Sequence, residues 1–133
     1  MTDLPLPTDV AFLRLETSTI DDEHYTLIAY VDETTFTWTA CVVNYHTTDG
    51  TLILDRAWTS DDSRGTGILK RTVGTLLLAA HTAGVEQAEF HGMASTGEVI
   101  ARGAQPLTAT DVRVPMPGTF YDWLQGELTT LAD

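Results

Sequence analysis

Residues 61–84 run DDSRGTGILKRTVGTLLLAAHTAG, and the fold turns on how this stretch is understood. Gly65 and Gly67 stand just ahead of an apolar run, and Gly84 closes it. From Leu69 the apolar residues recur at Val73, Leu76, Leu77 and Ala80, the spacing of a helix with one buried stripe. Gly84 falls where a C-cap glycine belongs. Gly74, inside the run, weakens a helix by up to ~1 kcal/mol relative to Ala, unless it permits close packing on a sheet. The glycines at the mouth of this helix suit two readings. One is a plain strand-to-helix turn. The other is an anion cradle, because glycine lets backbone amides approach a ligand and a helix N-terminus offers free N–H donors at the positive end of its dipole. Arg64, Lys70 and Arg71 gather three of the chain's seven basic residues here, and Lys70 is its only lysine. The spacing fits neither a Walker loop nor the dinucleotide GxGxxG, since the third position after Gly65 and Gly67 is Lys70.

Upstream, period-2 alternation predicts four strands. AFLRLETSTI (11–20) alternates Leu13 and Leu15 with Arg14 and Glu16, and HYTLIAYVDE (24–33) sets Tyr25, Leu27, Ala29 and Val31 on one face. FTWTACVVNYH (36–46) is expected to place Phe36, Trp38, Ala40 and Val42 on one side. Asp49-Gly50 signals a tight hairpin into TLILDRAWT (51–59). The short connections make these strands an antiparallel meander. Downstream, VEQAEFH (85–91) is a fifth strand, and Ser95 with Glu98 resembles a capping box opening a short helix that ends near Gly103. DVRVPMP (111–117) is a sixth strand whose Pro115 belongs at a sheet edge. Thr119 can cap a last helix burying Phe120, Trp123, Leu124, Leu128 and Leu131. Residues 1–9 form a loose lead-in. The expected fold class is α+β in a single domain, 1–133: a four-strand antiparallel meander followed by α-β-α-β-α.

A chain of 133 residues suits one domain that folds without disulfides or metal. The lone Cys41 has no intramolecular partner and is expected to be a small buried hydrophobe. No apolar run reaches a membrane span and the N-terminus lacks a signal core, which favours a cytoplasmic protein with no membrane association. The net charge of −12 argues against direct nucleic-acid binding and fits a soluble surface or a basic partner. His24, His46, His81 and His91 show no close metal spacing, so no metal is expected. No Gly-x-Ser-x-Gly elbow is present. Trp38 and Trp58, on neighbouring strands, are assigned to the core. Tyr121 is expected to pack beside Trp123.

From the strand 51–59 through RGTGIL, the helix ending at Gly84, the strand 85–91 and RGAQPL (102–107), the chain resembles the core of the GCN5-related N-acetyltransferases. The resemblance covers roughly residues 51–116. That family's loop has Arg or Gln, two residues, Gly, one residue, then Gly or Ala. Arg64 and Gly67 match, and Leu69 departs with a bulky side chain. The resemblance implies an acyl-CoA N-acyltransferase-like mixed sheet with acetyl-CoA as cofactor. Arg64, Gly65, Thr66, Gly67, Ile68 and Leu69 would then hold its pyrophosphate. The thioester arm would lie between strands 51–59 and 85–91, and a small-molecule or protein amine would be the acceptor. Asp55, on a strand where such enzymes place a carboxylate, and His91, ending the fifth strand, become the candidates for proton transfer. The family's two helices between its first strands are reduced here to DDEH (21–24). Its Asn and its general-acid Tyr correspond to Gly92 and Val99. The alternative is a non-catalytic acidic protein that keeps the fold and binds a basic partner. In either case an exposed sheet edge could pair two copies into a homodimer.

Overall fold

The computed structural model describes residues 4–10, 13–32, 34–61 and 67–132. The strands are β1 (Asp9–Val10), β2 (Leu13–Thr19), β3 (His24–Asp32), β4 (Thr37–Thr48) and β5 (Thr51–Thr59). Then come α1 (Ile68–Thr82), β6 (Gln87–Phe90), α2 (Gly97–Ala101), β7 (Gln105–Pro106), β8 (Val112–Pro115) and α3 (Thr119–Ala132). Among the described residues eight strands join one sheet in the order β1-β2-β3-β4-β5-β6-β8-β7. Every neighbouring pair is antiparallel except β5 with β6, which α1 connects as a parallel pair. The expected α+β order is therefore present, with two short strands added. Leu4, inside the stretch expected to be a loose lead-in, is buried, and the Leu15 amide donates to the Thr8 carbonyl at 2.8 Å.

The meander forms because its strands bury alternate residues. On β3, Tyr25, Leu27, Ala29 and Val31 face inward while His24, Thr26, Ile28 and Tyr30 are half-buried on the opposite face. At the β4–β5 hairpin Asp49 and Gly50 adopt φ of 49° and 74°, the left-handed pair that a tight two-residue turn requires. β4 departs from the expected stripe. Ala29 pairs with Cys41 and Tyr30 with Thr39, so Ala40 is an extra, bulged residue. The bulge resets the alternation, and Cys41, Val43 and Tyr45 become the core residues after it. Phe36 is left exposed and stacks on the half-buried Trp38 at 5.2 Å. Trp58 is 50% exposed, so its assignment to the core is corrected: it follows a second bulge on β5.

α1 buries more than one stripe. Thr72 meets the sheet, where its Oγ1 accepts a hydrogen bond from the buried Cys41 Sγ at 3.2 Å. Burial pushes the Cys41 thiol above its usual pKa, consistent with an inert core residue. Another side of α1 packs on α3: Gly74 faces the Leu124 carbonyl and Leu128, and Gln125 Nε2 donates to the Gly74 carbonyl at 3.0 Å. The close packing that Gly74 permits is thus against a helix and not against the sheet. On α3, Phe120 and Leu124 are buried as expected, and the Leu131 side chain lies outside the described residues. α2 begins at Gly97 with Thr96 as N-cap and no side-chain cap bond, so the Ser95 capping box does not form. Glu98 turns instead to Lys70 and Arg102, at 3.9 and 3.6 Å. β8 is an interior strand, but β7 pairs only with Val112 and Arg113, which leaves Pro115 without a ladder partner on that side. Tyr121 packs edge-on against His81 at 5.3 Å, and it is Phe120 that meets Trp123.

A Cβ built on Gly74 would sit 3.5 Å from its nearest neighbours, an ordinary contact. Gly74→Ala is therefore expected to be neutral or to stabilise the fold by up to ~1 kcal/mol through helix propensity. Gly74→Leu should cost about 2 kcal/mol or more by forcing α1 and α3 apart. Urea unfolding of the two variants checks both outcomes.

Candidate active site

The site originates in a break between two strands. β5 and β6 pair from Thr51–Gln87 to Leu54–Phe90 and no further. At that point Asn44 pairs with Arg56 and Tyr45 with Leu54, which makes Asp55 an extra residue in β5. The bulge bends the strand. Beyond it, β5 runs on to Thr59 beside β4 alone. After Phe90 the chain turns away through Gly92, at φ 67°, held by the Asp111 carboxylate at 3.0 Å. That bond and one from Thr110 keep the Asp111 carboxyl below its usual range.

The gap is a cavity of about 440 Å³. Leu54 and Ala57 of β5, Phe90 of β6, Met93 beyond it, and Leu69 and Val73 of α1 form apolar walls. α3 closes the far side with Phe120, Trp123 and Leu124. Trp123 carries two cations on its ring, with the Arg102 guanidinium 3.8 Å and the Lys70 ammonium 4.8 Å from its centroid. Arg71, grouped with Lys70 in the sequence, is buried, so the exposed cation of that pair is Lys70.

Gly67 caps α1 in the left-handed region, at φ 81°, and a Cβ placed on it would have no neighbour within 4 Å among the described residues. A side chain there would meet backbone strain of roughly 1–2 kcal/mol. The Gly67 carbonyl accepts from the Arg71 amide at 3.0 Å, the first turn of α1. Ile68 is buried in the core, and Leu69 is part of the cavity wall. Arg64, Gly65 and Thr66 lie outside the described residues.

The two proton-transfer candidates are engaged separately. Asp55 points to the half-exposed face of the sheet, where its Oδ2 lies 2.7 Å from His46 Nδ1. His91 lines the cavity, and its Nε2 lies 2.9 Å from Glu89 Oε1. Glu89 also accepts from Arg113 at 3.1 Å. The bonds from His91 and Arg113 hold the Glu89 carboxyl below its ordinary value, so it is an ionised acceptor. An acceptor-only carboxylate fixes the proton of neutral His91 on Nε2 and leaves Nδ1 as its basic atom. Sequence reasoning missed Glu89; its alternation with the buried Ala88 and Phe90 is the pattern that places it beside His91. Val99 reaches the cavity from α2 without a hydroxyl, and Ser95 brings one to its rim.

No family model matches the sequence, and no curated protein matches it. Solved structures do share its fold. The IAA acetyltransferase from Bacillus cereus ATCC 14579 is 14% identical, with 70% of this chain and 77% of that one aligned at a TM-score of 0.54. The ribosomal-protein-S18-alanine N-acetyltransferase from Escherichia coli is 13% identical over 71% and 70% of the chains, at 0.53. A CoA-dependent acyl-homoserine lactone synthase, solved with SAM and isopentyl-CoA, is 11% identical over 84% and 67%, at 0.60. The chain therefore has the fold of the GCN5-related N-acetyltransferases, with the connection between β2 and β3 shortened to residues 20–23.

Glu89 gives the site a pH signature. Its native pKa is lowered, so the stability it supplies is fully present above the ordinary 4.5 and is lost as pH falls through the native value. Glu89→Gln is expected to cost about 1 kcal/mol at pH 7, after allowing for solvent screening. The deficit should shrink in strongly acidic solution. Urea unfolding at neutral and acid pH reads the difference.

Proposed function

We propose that the protein binds an acyl-CoA thioester in the β5–β6 gap and transfers the acyl group, acetyl in the simplest case, to an amine. The observation that carries this reading is the gap itself: a cavity with apolar walls, bounded by strand edges that stop pairing and flanked by the glycine-capped start of α1. The fit to a pantetheine arm is chemical. The walls suit its methylene and dimethyl groups, and the edge of β5 past Leu54 offers backbone groups to its amides. The start of α1 supplies amide donors and a positive dipole end for the pyrophosphate. Lys70 adds a cation beside the cavity.

Bound there, the thioester would supply an electrophilic acyl carbon. The protein's part is to hold that carbon in the gap and to accept the proton an attacking ammonium must shed. His91 serves as that base, through Nδ1, with Glu89 holding the ring. The half-exposed face of the sheet, over β2 to β5, is where an acceptor would approach. Val99 leaves the departing thiolate to take its proton from solvent. That same position favours the second reading, a binding protein with the fold but little catalysis.

Calorimetry with acetyl-CoA separates these readings. Micromolar binding is expected, abolished by Gly67→Asp, which adds strain and a negative charge at the cap. Ala57→Trp, an exposed position on the cavity wall, should also block binding without disturbing the core. Thiol release with an amine panel should fall about 100-fold or more in His91→Gln at unchanged acetyl-CoA affinity. Binding without turnover in any assay overturns the catalytic half of the proposal, and no heat at millimolar acetyl-CoA favours the second reading, an acidic protein that keeps the fold and binds a basic partner.

A further inference from the structure

The face of the sheet opposite α1 carries a cluster that the acyl-transfer reading does not use. The β3–β4 register places His24 directly across from His46, with ring centroids 4.6 Å apart. The bulge on β5 turns Asp55 toward the same two rings, and its carboxylate meets His46. One potential ligand atom from each of His24, His46 and Asp55 lies within 4.8 Å of the other two. None of the three lines the cavity. His46 and Asp55 keep 19% and 36% of their side-chain surface exposed, so a small ion can reach them.

We propose that His24, His46 and Asp55 form a binding site for one divalent transition-metal ion of the zinc, nickel or cobalt class. Two imidazoles and a carboxylate make a borderline donor set that suits these ions and disfavours magnesium or calcium. In a tetrahedral site with bonds of about 2.0–2.1 Å, neighbouring ligand atoms lie about 3.3 Å apart. The cluster must therefore close by up to about 1.5 Å, within reach of side-chain rotation on three hydrogen-bonded strands. Water would complete the coordination. The surroundings are those of a ligand set with an outer layer: Asp21 Oδ1 lies 2.9 Å from His24 Nδ1 and also accepts from the Glu23 and His24 amides. A carboxylate that orients a ligating imidazole is the usual outer partner of a metal-bound histidine.

The test is calorimetric titration of the chelator-treated protein with zinc chloride, repeated with nickel and magnesium chlorides. One zinc ion per chain at micromolar affinity or tighter is expected, with nickel also bound and magnesium not. Asp55→Asn and His46→Gln should each weaken zinc binding about tenfold or more, and Asp21→Asn about 10- to 100-fold. His81→Gln, on α1, should leave it unchanged. Zinc should raise the melting temperature of the natural chain and not that of Asp55→Asn, an isosteric change at an exposed residue that keeps the fold testable. Saturation only at millimolar zinc, or equal affinity in the His24→Gln/His46→Gln double variant, overturns the proposal.

Discussion

The parting of β5 from β6 after four paired residues is the constraint on which the candidate site depends. Two parallel strands held in register would close the sheet and leave no room for a ligand. Here one strand carries an extra residue at Asp55, and the other ends at Phe90 in a turn that requires Gly92. The cavity is the space between them, and α1 and α3 only roof it. Because the break sits in the middle of an eight-stranded sheet, its walls are anchored on both sides by continuous ladders. A site defined by backbone geometry can tolerate wide change in its side chains. The solved structures that share this fold are only 11–14% identical to the chain.

The sheet is asymmetric. One face is roofed by α1, with α3 packed on that helix, and holds Leu27, Cys41, Val43 and Leu52 out of water. The other face, between β2 and β5, is stabilised across strands. Arg14 lies over the Tyr30 ring at 4.5 Å and pairs with Asp32, Thr26 bonds Asn44, and His46 bonds Asp55. These contacts are individually weak at exposed positions, where solvent screens charge. They serve to keep polar groups satisfied on a face that must meet solvent or a partner. The scarce exposed cations are placed with the same economy, Lys70 and Arg102 sharing one indole ring and one carboxylate.

Much of the fold was legible because local signals agreed. The β3 alternation, the Asp49-Gly50 turn and the apolar spacing of α1 each act over a few residues, and the structure follows them. The failures lie where tertiary packing decides. Ala40 and Asp55 are bulged, and a bulge leaves no mark in composition, so the expected face of Phe36 to Val42 and the burial of Trp58 both came out wrong. Ser95 and Glu98 have the spacing of a capping box, but Glu98 is drawn to Lys70 and Arg102 instead. For the candidate site, the place of His91 at the end of its strand was legible, while its contact with Glu89 was not, because that depends on which way β6 alternates. The nearness of His24 and His46 is a matter of strand register across 22 positions of sequence and could not be read from spacing along the chain.

The turns of the meander carry a consequence for how the chain assembles. Strands β2 to β5 are joined by residues 20–23, 33–36 and 49–50, so their ladders close over short sequence separations. Short-range closure costs little entropy and proceeds quickly. The β5–β6 pairing instead waits for the whole of α1 to be made and docked. The meander can therefore pair over short loops, whereas the gap beside β5 needs α1, β6 and α3 all in place before it exists.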